Sequence, residues 1–196
     1  MSSKLLNDLF KSRGYNPRVL PLKNLNDTIN IKLKVDLIQI LSVEEKSQVL
    51  RTNVWIQHNW QDYQLTWDPQ SYNGLANFRV APEKIWKPDV VLLNNADGNY
   101  DWLWQPKAIL SSDGTLLWYP PAIYNSACTI DVEFFPFDQQ ECKIKFGSLT
   151  FSANQVIYYS HFSFKITKTS LQYLLFQSTA DQYNIFESLG EFMTVN

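Results

Sequence analysis

A chain of 196 residues with 45% hydrophobic content can bury one substantial core, which predicts a single folded domain. Its 17 basic and 19 acidic residues give a formal net charge of -2, so it lacks the basic field that attracts nucleic acid, and we expect no nucleic-acid partner. Aromatic residues make up 15% of the chain, which suits either a Trp-rich β core or a surface that holds a cation.

The N-terminal segment is predicted to form a short amphipathic helix. Between positions 4 and 10 the apolar residues recur at helical spacing: Leu5, Leu6, Leu9 and Phe10. Gly14 and Pro17 then end the pattern. We find neither a secretory signal pattern nor a run of about 18 apolar residues, so the sequence as it stands is not expected to enter or span a membrane.

Two alternating segments follow, and each predicts a half-buried strand. Between positions 29 and 37 the odd-numbered residues are apolar and polar or charged residues separate them, which is the period-2 pattern of a strand. In residues 54–60 the even-numbered positions form the core-facing set, so Trp55 is expected to point away from the core. The charged stretch 42–48 between the two segments predicts a solvated turn.

Turn-forming pairs recur through the middle of the chain, among them Asn73-Gly74, Lys87-Pro88 and Asp113-Gly114. Short β-rich segments between such turns predict an all-β sandwich or barrel, with a hairpin around residues 111–114. No linker or repeat marks an internal boundary before about residue 160. From residue 161 onward neither strict alternation nor a strong helical stripe is present, so we divide the chain into residues 1–160 and a tail of residues 161–196.

The two cysteines, Cys128 and Cys142, bracket 13 residues. An even count that closes a short loop suits one disulfide formed in an oxidising compartment, and two buried free thiols are the alternative. The loop reads CTIDVEFFPFDQQEC, with Phe134, Phe135 and Phe137 around Pro136. Because an ordinary surface loop does not expose three phenylalanines, we expect an apolar partner to cover its tip.

This loop resembles the signature loop of the Cys-loop pentameric ligand-gated ion channel family, in which two cysteines with 13 intervening residues enclose an aromatic-Pro-aromatic-Asp core. That core corresponds here to Phe135, Pro136, Phe137 and Asp138. The resemblance, closest to nicotinic acetylcholine receptors, extends in family order through residues 53–68, 85–101, 111–128 and 142–156, and covers about residues 4–160.

The resemblance implies the architecture of an extracellular ligand-binding domain at the plasma membrane. Its fold would be all-β, an immunoglobulin-like twisted β-sandwich after a short N-terminal α-helix, with five subunits in a ring. Acetylcholine or a related quaternary ammonium ligand would bind at a subunit interface within an aromatic cage, and residues 135–138 would couple binding to gating. The family's C-terminal strands are not recognisable in residues 161–196, which either substitute for them or are unrelated sequence.

The family's binding positions can be located in this chain, and they divide into two groups. Those of the complementary face are occupied by Trp55, Ile109, Leu117 and Tyr119, although Trp55 could also be an ordinary exposed strand aromatic. On the principal face, the family's tyrosine and tryptophan correspond to Leu93 and Leu149, and the adjacent-cysteine pair of alpha subunits is absent from the sequence. The chain therefore resembles non-alpha, beta-like subunits, which would need alpha-type partners in a hetero-pentamer.

Other residues have structural readings. Asp89 is expected to accept backbone hydrogen bonds in a turn. His58 and His161 are the only histidines and lie too far apart to suggest a metal cluster, so we expect no metal or cofactor. Asn26-Asp27-Thr28 is an N-glycosylation acceptor pattern, which also arises by chance. Neither a nucleophile elbow nor a phosphate loop is present in the sequence, so we expect no enzyme.

Three functions remain for comparison. The leading hypothesis is the ligand-binding domain of a nicotinic receptor-like subunit that supplies the complementary face. The alternative is a soluble acetylcholine-binding or subunit-sequestering protein without channel activity. A generic β-sandwich adhesion module is the third, and the disulfide loop argues against it.

Overall fold

The computed structural model describes residues 2–24, 26–100, 104–130, 142–160, 165–167, 170–172 and 185–188. An N-terminal helix α1, Ser2–Asn7, continues into a π-helical turn, Asp8–Ser12. Leu5 and Leu9 are 1% and 0% exposed, because a spacing of four residues places both on the face that packs against the core. Gly14 follows with a φ of +67°, so the predicted helix and its end are confirmed.

Two long antiparallel strands, β1 (Ile29–Glu44) and β2 (Val49–Gln61), form the centre of the fold. Their inward residues are buried in alternation as predicted, with Val35 opposite Ile56. The predicted end of β1 near residue 37 was wrong, since the strand continues to Glu44. Register shifts between Leu37 and Gln39, and again between Ile40 and Ser42, disrupt the alternation there.

Shorter elements complete two sheets. The strands are β3 Asn77–Val80, β4 Val90–Leu92, β5 Ala108–Ser111, β6 Thr115–Trp118, β7 Pro121–Ala127, β8 Ile144–Ser148, β9 Val156–Ser160, β10 Lys165–Thr167, β11 Ser170–Gln172 and β12 Ile185–Ser188. Short 3-10 helices span Pro69–Tyr72 and Pro82–Lys84. The larger sheet has the order β3-β5-β6-β2-β1-β9, with β7 also paired to β2. The second sheet has the order β12-β8-β4, and β10 pairs antiparallel with β11.

The main apolar core receives side chains from both sheets, for example Ile56 from β2 and Phe146 from β8. Trp60 and Trp118 are each 1% exposed within it, so much of the aromatic content is structural. The mostly-β architecture with one short N-terminal helix confirms the predicted fold class.

The disulfide Cys128–Cys142 joins the end of β7 to the start of β8, with the two Cα atoms 4.9 Å apart. Both cysteines are buried and pack with Leu50 in a small cluster beside the main core. The predicted pairing is therefore confirmed. Residues 131–141 lie outside the described residues, and so does the prediction that concerns Phe135, Pro136, Phe137 and Asp138.

The tail is described only in its strands. β12 pairs antiparallel with β8, with Phe186 opposite Phe146, and so adds an edge to the second sheet. The division of the chain at residue 160 stays a prediction.

Candidate functional site

The outward face of the larger sheet carries the residues predicted for ligand binding. Because side chains alternate across a strand, the buried Val54 and Ile56 leave Trp55 on the opposite face, where it is 37% exposed. Ile109 of β5 and Leu117 of β6 lie directly opposite each other in the hairpin and are half-buried. Tyr119 follows β6 and is also half-buried.

Trp55 and Tyr119 form an aromatic pair on this face. Their ring centroids are 5.1 Å apart and the ring planes are inclined by 53°. β6 and β7 follow β2 in one continuous register, with Leu117 opposite Asn59 and Pro121 opposite Trp55. Tyr119 lies between these two pairs, which makes it a diagonal neighbour of Trp55 and brings the rings together.

Asp36 and Lys34 of β1 lie on the same face. Asp36 is directly opposite Trp55 in the register of β1 and β2, and its carboxylate accepts a hydrogen bond from the Tyr119 hydroxyl. Lys34 Nζ lies 2.7 Å from the other oxygen of the Asp36 carboxylate. Burial, together with the hydrogen bond to Asp36 and its charge, raises the pKa of Tyr119, so the phenol stays neutral.

The β5–β6 hairpin is held firmly against the end of β2. The Asp62 N–H donates to the Gly114 carbonyl at 2.9 Å, and the Trp67 N–H donates to the Ser112 carbonyl at 3.0 Å. Gly114 has a φ of +84° and its Cα faces the Asp62 carbonyl oxygen so closely that a Cβ there would collide with it. The turn therefore fixes the position of Ile109 and Leu117 along β2.

A buried hydrogen bond joins this region to the N-terminal segment. The Tyr15 hydroxyl donates to Asp62 Oδ2 at 2.7 Å and accepts from the Trp86 N–H at 3.0 Å. Burial raises the pKa of Asp62 and that of Tyr15. The end of β2 is thus held on one side by the β5–β6 hairpin and on the other by Tyr15.

The positions predicted for the principal face lie on the second sheet. Leu93 follows β4 and its N–H donates to the Lys145 carbonyl at 2.8 Å, while Leu149 follows β8 and is 70% exposed. The register of β4 and β8 places the two leucines at opposite ends of that ladder. The structure does not bring either of them onto the sheet face that carries Trp55.

Asp89 has the structural role predicted for it. Its carboxylate accepts hydrogen bonds from the Ser148 hydroxyl at 2.6 Å and from the Thr150 N–H at 2.7 Å, which fixes the turn that contains Leu149. The tyrosine hydroxyl of Tyr158 also donates to it, at 3.3 Å.

Of the remaining polar candidates, the structure describes His58 and Asn26. His58 is fully buried, and that burial lowers its pKa to about 3, so the imidazole is neutral at physiological pH. Among the residues that the structure describes, His, Cys, Asp and Glu form no group suited to a metal ion. His161 lies outside the described residues. Asn26 is exposed in a turn, and Thr28 of the same triplet donates its hydroxyl to the Asn154 carbonyl at 3.0 Å.

The sequence alone indicated no role at this site for Asp36 and Lys34. The alternation of β1 already assigns Lys34 and Asp36 to its outward side. Whether they lie beside Trp55 and Tyr119 depends on the register of neighbouring strands, which the alternation within a single strand does not reveal.

In the described part of the chain we find no helix that is both long and apolar enough to cross a membrane.

A family model described as the neurotransmitter-gated ion-channel ligand binding domain matches residues 2–188. The chain is 48% identical over 153 residues to the acetylcholine receptor subunit beta-like 1 of Drosophila melanogaster, covering 78% of this chain and 29% of that protein. It is 49% identical over 154 residues to the beta-type subunit lev-1 of Caenorhabditis elegans, covering 78% and 30%.

Similarity to the neuronal acetylcholine receptor subunit alpha-4 of Gallus gallus is 42% identity over 193 residues, which covers 98% of this chain and 28% of that protein. The chain thus spans less than a third of the length of these three relatives.

Proposed function

The chain belongs to the neurotransmitter-gated ion-channel ligand-binding domain family, and from this premise we propose that it supplies the complementary face of an acetylcholine site formed with a neighbouring receptor subunit. Its relatives are acetylcholine receptor subunits and not enzymes. The observation that supports the proposal is the Trp55–Tyr119 pair, two aromatic rings held together on the outward face of the larger sheet.

This face has the chemistry that a quaternary ammonium ion requires. Such a cation cannot donate a hydrogen bond, so it is attracted to the electron-rich faces of aromatic rings, each contact contributing about 0.5–2 kcal/mol. Trp55 and Tyr119 supply those rings, and Ile109 with Leu117 supplies an apolar wall for the rest of the ligand. The phenol of Tyr119 stays neutral, so Tyr119 offers the ligand an aromatic ring without a charge of its own.

The other half of the site comes from a second subunit in this proposal. Leu93 and Leu149 offer no aromatic ring, and they lie on the second sheet, away from Trp55. An alpha-type neighbour in a hetero-pentamer would supply the missing cage.

The disulfide loop would carry the signal from the site toward the pore of the channel, at the extracellular face of the plasma membrane. Cys128 and Cys142 pack on Leu50 of β2, and partly buried Leu37 of β1 packs against the same cluster, so the base of the loop contacts the two strands that carry Trp55 and Asp36. Phe135, Pro136, Phe137 and Asp138 would form its coupling tip.

We also propose that Asn26 carries an N-linked glycan on the extracellular side of the membrane.

The experiment is to co-express the chain with an alpha-type subunit and to measure equilibrium binding of acetylcholine to the assembled complex. Trp55→Ala should weaken that binding. Tyr159→Ala is the matched control, since Tyr159 is a 47% exposed aromatic on β9 of the same sheet, outside the aromatic pair. Equal affinities in the wild type and in Trp55→Ala would refute the proposal.

A further inference from the structure

The carboxylate of Asp36 contacts donors from two different parts of the larger sheet. Tyr119, which follows β6, donates its hydroxyl to one oxygen, and Lys34 of β1 contacts the other at 2.7 Å. The side chain of Asp36 is 30% exposed and that of Lys34 is 56% exposed. Exposed ion pairs contribute little to folding stability, so the stability of the sheet alone does not explain this arrangement.

The geometry gives the hydrogen bond a specific consequence for the aromatic pair. β2 lies between β1 and β6, so adjacent-strand spacing separates β1 from β6 by roughly 10 Å. The Tyr119 side chain must therefore cross the outward face of β2 to reach Asp36. Trp55 is the β2 residue directly opposite Asp36, so the crossing phenol comes to lie beside the indole.

We infer that Asp36 is a positioning residue of the ligand-binding face: by accepting the Tyr119 hydroxyl it holds the phenol ring against Trp55 and so sets the affinity of this face for a quaternary ammonium ion. This inference rests on the proposed function. Asp36 acts through Tyr119 and does not itself contact the ligand. The ammonium of Lys34 balances the carboxylate charge, which leaves orientation of the ring as the main effect of Asp36.

Ring orientation matters because a cation–π contact depends on the face of the ring. A half-exposed tyrosine without a hydrogen-bond partner samples several rotamers, and only some of them present a face beside the indole. Fixing the ring in advance removes an ordering cost that ligand binding would otherwise bear. The hydroxyl-to-carboxylate bond is charge-assisted and is thus suited to that task.

The test uses the chain co-expressed with an alpha-type subunit, with acetylcholine as the ligand and equilibrium binding as the readout. Asp36→Ala and Tyr119→Phe should each weaken binding by about five- to tenfold, which lies within the range of one cation–π contact. Because both changes break the same bond, the double variant should bind about as well as either single variant. Asp36→Asn retains an acceptor oxygen and should stay within about twofold of the wild type.

Two further variants separate the inference from simpler explanations. Lys34→Gln removes the neighbouring charge but leaves the Tyr119 bond, and should also stay within about twofold of the wild type. Thermal unfolding of the Asp36 variants should occur at the wild-type temperature, so that loss of affinity is not loss of fold. The positioning role would be overturned if the fold-losses of affinity in the two single variants multiplied in the double variant. Equal losses of affinity in Asp36→Asn and Asp36→Ala would overturn it too.

The same series distinguishes this inference from the function on which it rests. Weakened binding in Trp55→Ala together with wild-type binding in Asp36→Ala would overturn the role of Asp36 alone. Wild-type binding in both variants would overturn the proposed function as well.

Discussion

Replacing Gly114 by alanine should destabilise the protein far more than the same change at another turn glycine. Gly114 has a φ of +84°, and a Cβ there would meet the Asp62 carbonyl oxygen and lie 3.0 Å from Thr66 Cγ2. A left-handed conformation costs alanine about 1 kcal/mol, and crowding against the main chain adds about 1–3 kcal/mol. We expect the free energy of unfolding to fall by about 3 kcal/mol in Gly114→Ala.

Gly74 provides the matched control. Its φ is +77°, similar to that of Gly114, but nothing lies within 4 Å of a Cβ built there. Gly74→Ala should therefore show the conformational cost alone, about 1 kcal/mol. The difference of about 2 kcal/mol between the two variants measures the close contact between the hairpin turn and Asp62.

Urea denaturation of the two variants under identical conditions gives both free energies. The contact also positions Ile109 and Leu117, so acetylcholine binding by the complex with an alpha-type subunit should weaken in Gly114→Ala and stay unchanged in Gly74→Ala. Equal destabilisation at the two glycines would show that the turn accommodates the extra carbon and that the close contact with Asp62 does not hold the hairpin in place.

Two other predictions concern His58 and Asn26. Burial lowers the pKa of His58 from 6.5 to about 3. Between these two pH values the unfolded chain binds a proton that the folded chain does not. The free energy of unfolding should therefore fall as the pH drops through this window, by up to about 1.4 kcal/mol per pH unit. Denaturation of His58→Leu across the same window should show a shallower slope, and parallel profiles would contradict the assignment. When the chain is expressed with an added secretion signal in glycosylating cells, Asn26→Gln should lower its mass by one N-glycan, whereas an unchanged mass would exclude use of this site.

The sequence predicted the elements of the fold well where patterns are local. Alternation placed Trp55 on the outward face and Ile56 in the core, and turn residues identified the hairpin that carries Ile109 and Leu117. The length of β1 was wrong because register shifts after Leu37 interrupt the alternation on which the prediction depended. Local patterns fail wherever a bulge changes the face of successive residues.

The candidate site was predictable only in part. Resemblance located Trp55 and Tyr119 individually, but their contact, and the bond from Tyr119 to Asp36, arise from the register of strands that are far apart in the chain. Since Tyr119 and Asp36 are 83 residues apart, no short-range pattern connects them. Partners of this kind become visible only when the sheet is assembled.

The most direct test of the proposed complementary face is acetylcholine binding by Trp55→Ala in the complex with an alpha-type subunit. Loss of one well-placed cation–π contact of about 1.4 kcal/mol predicts a dissociation constant about tenfold higher than that of the wild type. Tyr159→Ala should bind as the wild type does. If Trp55→Ala binds acetylcholine with wild-type affinity in a correctly assembled complex, this face of the sheet does not contribute to the ligand site.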